Sequence, residues 1–308
     1  MPPKTQNFDP RQYMRTNTYE VFRYKDAKPK EVALHHHDFY EIYFFMSGNV
    51  QYNIESRTYL MTPGDLLLIS PMELHQPVFG PNQGAYERIV IWINKHFLET
   101  IGLPGQDLTA CFATTARGHS NRLSPEGTTR QLLTFQMEQM IQAAETEDAY
   151  SELYALSYLV QTLVQINRLA GQMKQPDEIK SASDSAVYGV MNYINEHYDE
   201  ELSLDFLANQ FFISKYHLSR EFGRLVGTSV HRYIVQKRLV MAKQMMSEGM
   251  PSTEVYQHCG FGDYSNFYRA FKAEYQISPK EFVARMKENS PVRDERARRI
   301  RGLHEKIH

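Results

Sequence analysis

Three imidazoles and one carboxylate stand at a spacing that suits metal or ligand chemistry: His35-x-His37-x3-Glu41, with His75 further along. On an extended strand, residues two apart face the same side. His35 and His37 would then point together, and Glu41 would return toward them. Imidazole nitrogen and carboxylate oxygen are donors that a divalent transition metal takes. The same groups could line the pocket of an organic ligand that needs no metal, or sit as plain polar residues at the mouth of a barrel. Tyr43 shares the phase of Glu41 and would offer a hydroxyl and a ring to a sugar-like ligand, unless it serves only the core. His36 should point outward.

A second set of residues suits a polyanion. From Ser214 to Lys243 the cations are Lys215, Arg220, Arg224, Arg232, Lys237, Arg238 and Lys243, and the only acid is Glu221. The formal net charge of −2 conceals this window. It fits a phosphate backbone, although a solvated helix face has the same composition. The window also holds half of a duplication. Leu218-x-Arg220-x-Phe222 reappears as Phe267-x-Arg269-x-Phe271, each closing a short helix after a turn. Ser214 and Asp263 precede these helices as N-caps. The outward faces carry Tyr216, Ser219 and Arg220 in the first helix, and Tyr264, Ser265, Asn266 and Arg269 in the second. An Arg pairs bidentately with guanine and an Asn with adenine. Two such helices, held about 34 Å apart, enter successive major grooves. Lys215, Arg224 and Arg238 complete the set expected to touch double-stranded DNA. A plain helical bundle is the competing reading.

These groups need elements to carry them. Up to about Asn94, short apolar stretches (Glu41–Met46, Val50–Ile54, Leu66–Ile69, Ile89–Ile93) alternate with turns at Ser47-Gly48-Asn49, Thr62-Pro63-Gly64 and Pro81-Asn82-Gln83-Gly84. That rhythm predicts an antiparallel barrel or sandwich. Leu132, Phe135, Met137, Met140 and Ile141 then recur at helical spacing, as do Leu153, Leu156, Leu159, Val160, Leu163, Val164 and Ile166. Two amphipathic helices broken near Glu145–Asp148 follow. The second has more apolar surface than one stripe needs, for packing on the sheet or for a dimer seam. Gly171–Asp184 is polar, with Gly, Pro and Ser, and reads as a linker. Short helices and turns come next. Asp184 and Ser185 could cap a helix carrying Val187, Val190, Met191, Ile194 and Tyr198 on one face. Leu204–Phe211 follows as a short helix, Phe212-Ile213 makes the turn, and a long helix from about Ser229 to Glu248 joins the duplicated units. After Pro291 the chain is a charged tail.

The division expected is a sensor and dimerisation domain over 1–170, a linker over 171–184, a DNA-binding domain over 185–290 and a tail over 291–308. The length of 308 residues suits two domains. The two cysteines, Cys111 and Cys259, imply neither a disulfide framework nor a zinc site and fit a reducing cytoplasm. The N-terminus MPPKTQNFDP lacks the apolar core of a signal peptide, and no apolar run is long enough to span a membrane.

The C-terminal segment resembles the DNA-binding domain of the AraC/XylS family of transcription regulators, over roughly residues 185–290. The resemblance is carried by Gly260-Phe261-x2-Tyr264-Ser265-x-Phe267-x3-Phe271-Lys272 and Ile277-Ser278-Pro279-x2-Phe282. Leu207-Ala208, Ser214-x3-Leu218-Ser219-Arg220-x-Phe222, Gly227 and Arg238-x3-Ala242 support it. Phe212 stands where the first turn of the family usually has Gly, and Ser252 and Tyr256 depart from it in the second unit. The His/Glu spacing resembles the first motif of the cupin superfamily, with a degenerate second motif at Pro63-Gly64-Asp65 and Pro71-x3-His75. Glu73 replaces a usual Gly there.

The resemblances imply an α+β chain: an N-terminal cupin-like antiparallel β-barrel with two following helices, then an all-α tandem helix-turn-helix domain. They imply a regulator, not an enzyme, that binds a small-molecule effector such as a sugar or carbohydrate metabolite. Double-stranded DNA, RNA polymerase and a second copy of the chain are its implied partners, with no membrane and no required cofactor. The alternative is a metal-dependent cupin enzyme fused to a DNA-binding domain, with His35, His37, Glu41 and His75 holding the metal.

Overall fold

The computed structural model describes residues 13–29, 31–80, 84–114, 120–146, 148–172 and 186–288. Most of the expected linker, the caps expected at Asp184 and Ser185, the expected tail and the Pro81-Asn82-Gln83 turn lie outside the described residues. The chain divides into two compact units, Met1–Met191 and Asn192–His308.

In the first unit, β1 (Tyr19–Asp26), β2 (Tyr40–Ser47), β3 (Val50–Ile54), β4 (Arg57–Leu60), β5 (Leu66–Ile69), β6 (His75–Phe79) and β7 (Tyr86–Ile93) lead into the short helix α1 (Lys95–Thr100). A two-residue strand β8 (Arg122–Leu123) precedes α2 (Gly127–Glu145) and α3 (Ser151–Gln172). The strands form two antiparallel sheets rather than one closed barrel. One has the order β1-β7-β2-β5-β8 and the other β4-β3-β6.

The central strands β7, β2 and β5 of the five-stranded sheet are buried on both faces. Tyr40, Ile42 and Phe44 of β2, Leu66 and Leu68 of β5, and Ile89, Ile91 and Ile93 of β7 pack against α2 and α3. The alternate residues Tyr43, Phe45, Leu67, Ile69, Val90 and Trp92 face the other sheet, where Val50, Tyr52, Ile54 and Tyr59 meet them. Alternation of this kind is what a pleated strand dictates. Because both faces need apolar residues, β2 reads as one continuous run, YEIYFFMS.

Of the apolar positions expected to share a face, Met137, Met140, Leu159, Leu163 and Ile166 are buried, while Leu132, Phe135 and Leu153 depart from it. Leu133, Gln136, Met137 and Met140 face inward. Leu132 and Phe135 are exposed, as are Leu153 and Tyr154 of α3. Gln136 is a polar residue on the buried face, where its side-chain carbonyl accepts a hydrogen bond from Thr162 at 3.3 Å.

Helix α4 (Ala186–Glu196) contains the division between the units. The second unit continues with α5 (Leu204–Gln210), α6 (Lys215–Val226), α7 (Val230–Ser247), α8 (Val255–His258), α9 (Tyr264–Tyr275) and α10 (Pro279–Glu288). The starts of four helices follow from local chemistry. Ser203, Ser214, Ser229 and Asp263 each accept a hydrogen bond from the backbone N–H three residues on. That satisfies a donor with no helical partner. Gly227 ends α6 with φ of +70°, a left-handed cap that glycine adopts at least cost. Leu207, Ala208, Leu218 and Phe222 are buried in the first helix-turn-helix. Val255, Cys259, Phe267, Phe271 and Phe282 form the core of the second against Leu239, Ala242 and Met246 of α7.

Candidate effector site and nucleic-acid interface

The segment ahead of β2 docks on the start of β6. His35 and His75 exchange both backbone hydrogen bonds, at 3.1 and 2.8 Å. Glu41 sits opposite Trp92 of β7 and Ile69 of β5. The result brings His35, His37, Glu41 and His75 together, all of them buried. One ligating atom from each of His37, Glu41 and His75 lies within 4.8 Å of the others.

The three imidazoles are held alike. Nδ1 of His35 lies 2.9 Å from the Ala33 carbonyl, that of His37 2.9 Å from the Phe39 carbonyl, and that of His75 2.8 Å from the Glu73 carbonyl. A carbonyl only accepts, so each Nδ1 carries a proton. In a neutral ring Nε2 is then the lone-pair nitrogen. Burial, with the neighbouring His37 adding to it, pushes His35 down to about 4. Burial, reinforced by the other histidines, holds His75 well below the usual imidazole range. Both rings are therefore neutral lone-pair donors at pH 7.

Their surroundings favour something between them. Nε2 of His75 is buried and has no hydrogen-bond partner among the described residues. Nε2 of His37 lies 3.2 Å from Oε2 of Glu41. A lone pair facing a carboxylate oxygen is unfavourable without a proton, a donor group or a cation between them. The Trp92 indole N–H donates to Oε2 of Glu41 at 2.9 Å, and the Phe39 ring stacks on His37 at 4.0 Å.

These contacts fit a divalent metal by donor type, and the Nδ1 bonds would orient each imidazole as outer-shell partners do. A tetrahedral ion at about 2.1 Å from each donor would need the donor atoms about 3.4 Å apart. The trio would have to tighten around it, and His35 could supply a fourth nitrogen.

Tyr43 is buried in the same layer, with its hydroxyl bonded to that of Tyr86 and its ring 5.0 Å from Tyr52. Burial raises its hydroxyl well above the usual phenol range, so it stays protonated. His36 is half-buried. Trp92, Phe39, Tyr52 and Tyr86 join the site without any signal in the sequence spacing. Strand pairing brings them there. Glu73 accepts from the Ser70 backbone N–H and the Asn121 amide, and so closes a turn.

In the second unit, α6 and α9 expose most of the side chains expected to face DNA. Tyr216, Ser219 and Arg220 of α6 and Ser265, Asn266 and Arg269 of α9 are all exposed. Tyr264 is half-buried, its ring 5.9 Å from Tyr256 and 6.0 Å from Phe267. Acids within the same unit pair with several cations. Lys215 reaches Asp205 at 2.9 Å, and Arg224 and Arg220 reach Glu221 at 2.8 and 3.2 Å. The hydrogen bond from Arg224 is the main cause that holds the Glu221 carboxyl below the usual range. Arg238, expected among the DNA-facing cations, is turned inward. Its Nε donates to the Tyr198 carbonyl at 2.8 Å and its Nη2 to the Glu200 carbonyl at 2.7 Å.

Two family models match the chain. One is an AraC-like ligand binding domain over residues 19–161, and the other a helix-turn-helix domain over residues 207–285. The chain belongs to the AraC family. It is a DNA-binding transcriptional regulator with a ligand-binding domain, the first carried by the tandem helix-turn-helix and the second by the two-sheet unit. It is similar to the HTH-type transcriptional regulator YbfI of Bacillus subtilis, at 26% identity over 80% of this chain and 85% of that one. It is 28% identical to the arabinose operon regulatory protein of Escherichia coli over 75% of each chain. It is 23% identical to the HTH-type transcriptional activator RhaS of Enterobacter sp. over 80% of this chain and 86% of the relative. Among solved structures, the apo form of a ToxT variant from Vibrio cholerae aligns over 87% of this chain and 97% of its own. The identity there is 13% and the TM-score 0.37. Among the described residues no helix is long and apolar enough to cross a membrane.

Proposed function

We propose that this AraC-family regulator works in the cytoplasm as a homodimer that changes its transcriptional output when a small polar effector occupies the His35/His37/Glu41/His75 cluster. The observation that carries the reading is the buried polar cluster itself. Nε2 of His75 is buried without a partner among the described residues, and Nε2 of His37 faces the buried Glu41 carboxylate, so a polar ligand group with hydroxyls could bond here. The tyrosine hydroxyls and the Trp92 ring nearby suit a polyhydroxylated molecule. The arabinose operon regulator among its relatives makes sugars the first class to screen.

The exposed apolar residues of α2 and α3 support dimerisation. Phe135, Tyr154 and Tyr158 form a connected ring ladder across the two helices. On the DNA side, Tyr216, Ser219, Arg220, Ser265, Asn266 and Arg269 read base edges, with Tyr264 at the margin. Lys215 and Arg224 bind phosphates. The relatives named as activators support RNA polymerase as a further partner.

A divalent metal at the cluster is the second reading, favoured by the unpartnered His75 Nε2. His37, Glu41 and His75 would hold it, and it would supply a Lewis-acidic anchor for an effector oxygen. Thermal melting of the full chain distinguishes these readings. Pentoses, hexoses and their acids would be tested on metal-free protein, and Zn²⁺, Ni²⁺ and Mn²⁺ without sugar. A ligand at about 100 times its Kd stabilises by about 2.7 kcal/mol. The double variant His37→Ala with Glu41→Ala should lose that rise and keep DNA binding. A sugar-induced rise that survives in the double variant would remove the cluster from the effector site.

A further inference from the structure

Residues 198–200, between α4 and α5, are gripped from two sides. From one side comes Arg238 of α7, whose guanidinium donates to the carbonyls of Tyr198 and Glu200. These oxygens lie just beyond the C-terminus of α4, where backbone acceptors lack helical partners and a cation is favoured. From the other side comes Gly260, in the turn ahead of α9. Its φ is +71°, and a Cβ there would lie 2.8 Å from the carbonyl oxygens of both Tyr198 and Asp199. The Phe261 ring lies 5.9 Å from the same guanidinium. The gripped stretch runs on to Ser203, the cap of α5, and so to the first helix-turn-helix. One short segment thus touches the linking helix, the entry to the first unit and the turn of the second.

We infer that Arg238 is a positioning residue that sets the placement of α6 relative to α9, and through it the half-site spacing that the protein accepts. The inference rests on the proposed tandem reading of DNA by α6 and α9. A guanidinium can hold two carbonyls at once because its donors are fixed in a plane, and a lysine ammonium presents one compact charge instead. Charge and positioning can therefore be separated by substitution.

The test uses the full-length protein and a duplex that the wild type selects from a random pool, with its half-sites located by footprinting. Arg238→Lys and Arg238→Met should both bind the two-half-site duplex about tenfold more weakly, the scale of one lost specific contact. Both should match the wild type on a duplex that keeps one half-site. The salt slope should be unchanged, because no phosphate contact is lost. One base pair inserted between half-sites should weaken the wild type more than either variant. Gly260→Ala, which disturbs the same segment without changing charge, should behave like the Arg238 variants.

If Arg238→Lys binds like the wild type while Arg238→Met loses affinity for both duplexes with a salt slope smaller by about one, Arg238 contacts phosphate and the inference fails. Equal loss on both duplexes with a lowered melting temperature would make its role merely structural and would also overturn it. A wild-type footprint over a single half-site would remove the tandem reading itself, and the inference with it.

Discussion

The proposed effector cluster and the helices proposed to read DNA solve opposite problems with similar numbers of polar groups. In the cluster, every imidazole is buried, neutral or held beside a buried acid, and fixed by a backbone carbonyl. On α6 the exposed cations Lys215, Arg220 and Arg224 rest against Asp205 and Glu221, and on α9 the exposed Arg269 touches the Ser265 carbonyl and Asn266. Buried polar groups are costly to leave unpaired, so that site must be built in one geometry. Exposed ion pairs are weak, so phosphates can displace the acids at little cost. On the proposed reading, the cluster is prepared in advance and the helix surface is kept adjustable.

The largest expected effect tests the rigid half. Trp92→Phe removes the N–H that Oε2 of Glu41 accepts and leaves a buried carboxylate oxygen short of a donor. The cost should be about 2–4 kcal/mol, combining lost hydrogen bonding with imperfect packing. Urea unfolding of the full chain would measure it as a loss in the transition of the ligand-binding domain. A change below 0.5 kcal/mol would mean that water or another donor serves Glu41, and the cluster would no longer contrast with the surface.

The next effect probes the reading half. Arg220→Ala and Arg269→Ala should each weaken specific DNA binding by about 1–3 kcal/mol while leaving melting nearly unchanged. Each should relax preference at a different half-site. Arg269 touches Asn266 and the Ser265 carbonyl, so its loss should also loosen the Asn contact. If both variants keep full discrimination, α6 and α9 do not read sequence through these arginines.

The two halves were also unequally legible in the sequence. The helix-turn-helix units depend on local signals, and the caps at Ser214 and Asp263 and the buried Phe222 and Phe271 could be read directly. Arg238 was misleading because composition cannot tell an inward cation from an outward one. In the first unit, the His35, His37 and Glu41 spacing was visible, but Trp92 reaches Glu41 only through the β2–β7 register. β2 hides its alternation by burying both faces. Gln136 hides the phase of α2 because a polar residue occupies its buried side and Phe135 its exposed one.

A smaller effect concerns the turn between α5 and α6. Phe212 has φ of +54° and is 96% exposed. A large side chain in the left-handed region carries strain, and this one gains no burial in return. Phe212→Gly should stabilise the DNA-binding unit, by up to about 1 kcal/mol after the greater freedom of glycine in the unfolded chain is subtracted. A rise in melting temperature with unchanged DNA affinity would mark Phe212 as a tolerated departure from the family turn. A rise coupled to weaker DNA binding would mark it as part of the interface.

The smallest effect tests how loosely the surface acids hold their cations. Asp205 and Lys215 are each about two-thirds exposed, at 69% and 65% of their side chains. A pair of that kind contributes about 0–0.5 kcal/mol. Asp205 also lies in the first turn of α5, where a negative charge is mildly favourable, so Asp205→Ala should lower stability slightly. Its effect on DNA should have the opposite sign. The substitution removes an anion beside the first residue of α6 and frees Lys215 for phosphate, so affinity should rise about two- to fivefold at low salt. That gain should shrink as added salt screens the exposed charges. DNA titrations of the single variant across a salt series would measure it. A fall in affinity would mean that Asp205 orients Lys215 toward the DNA instead of competing for it. That surface would then be prepared in advance, as the buried His/Glu cluster is.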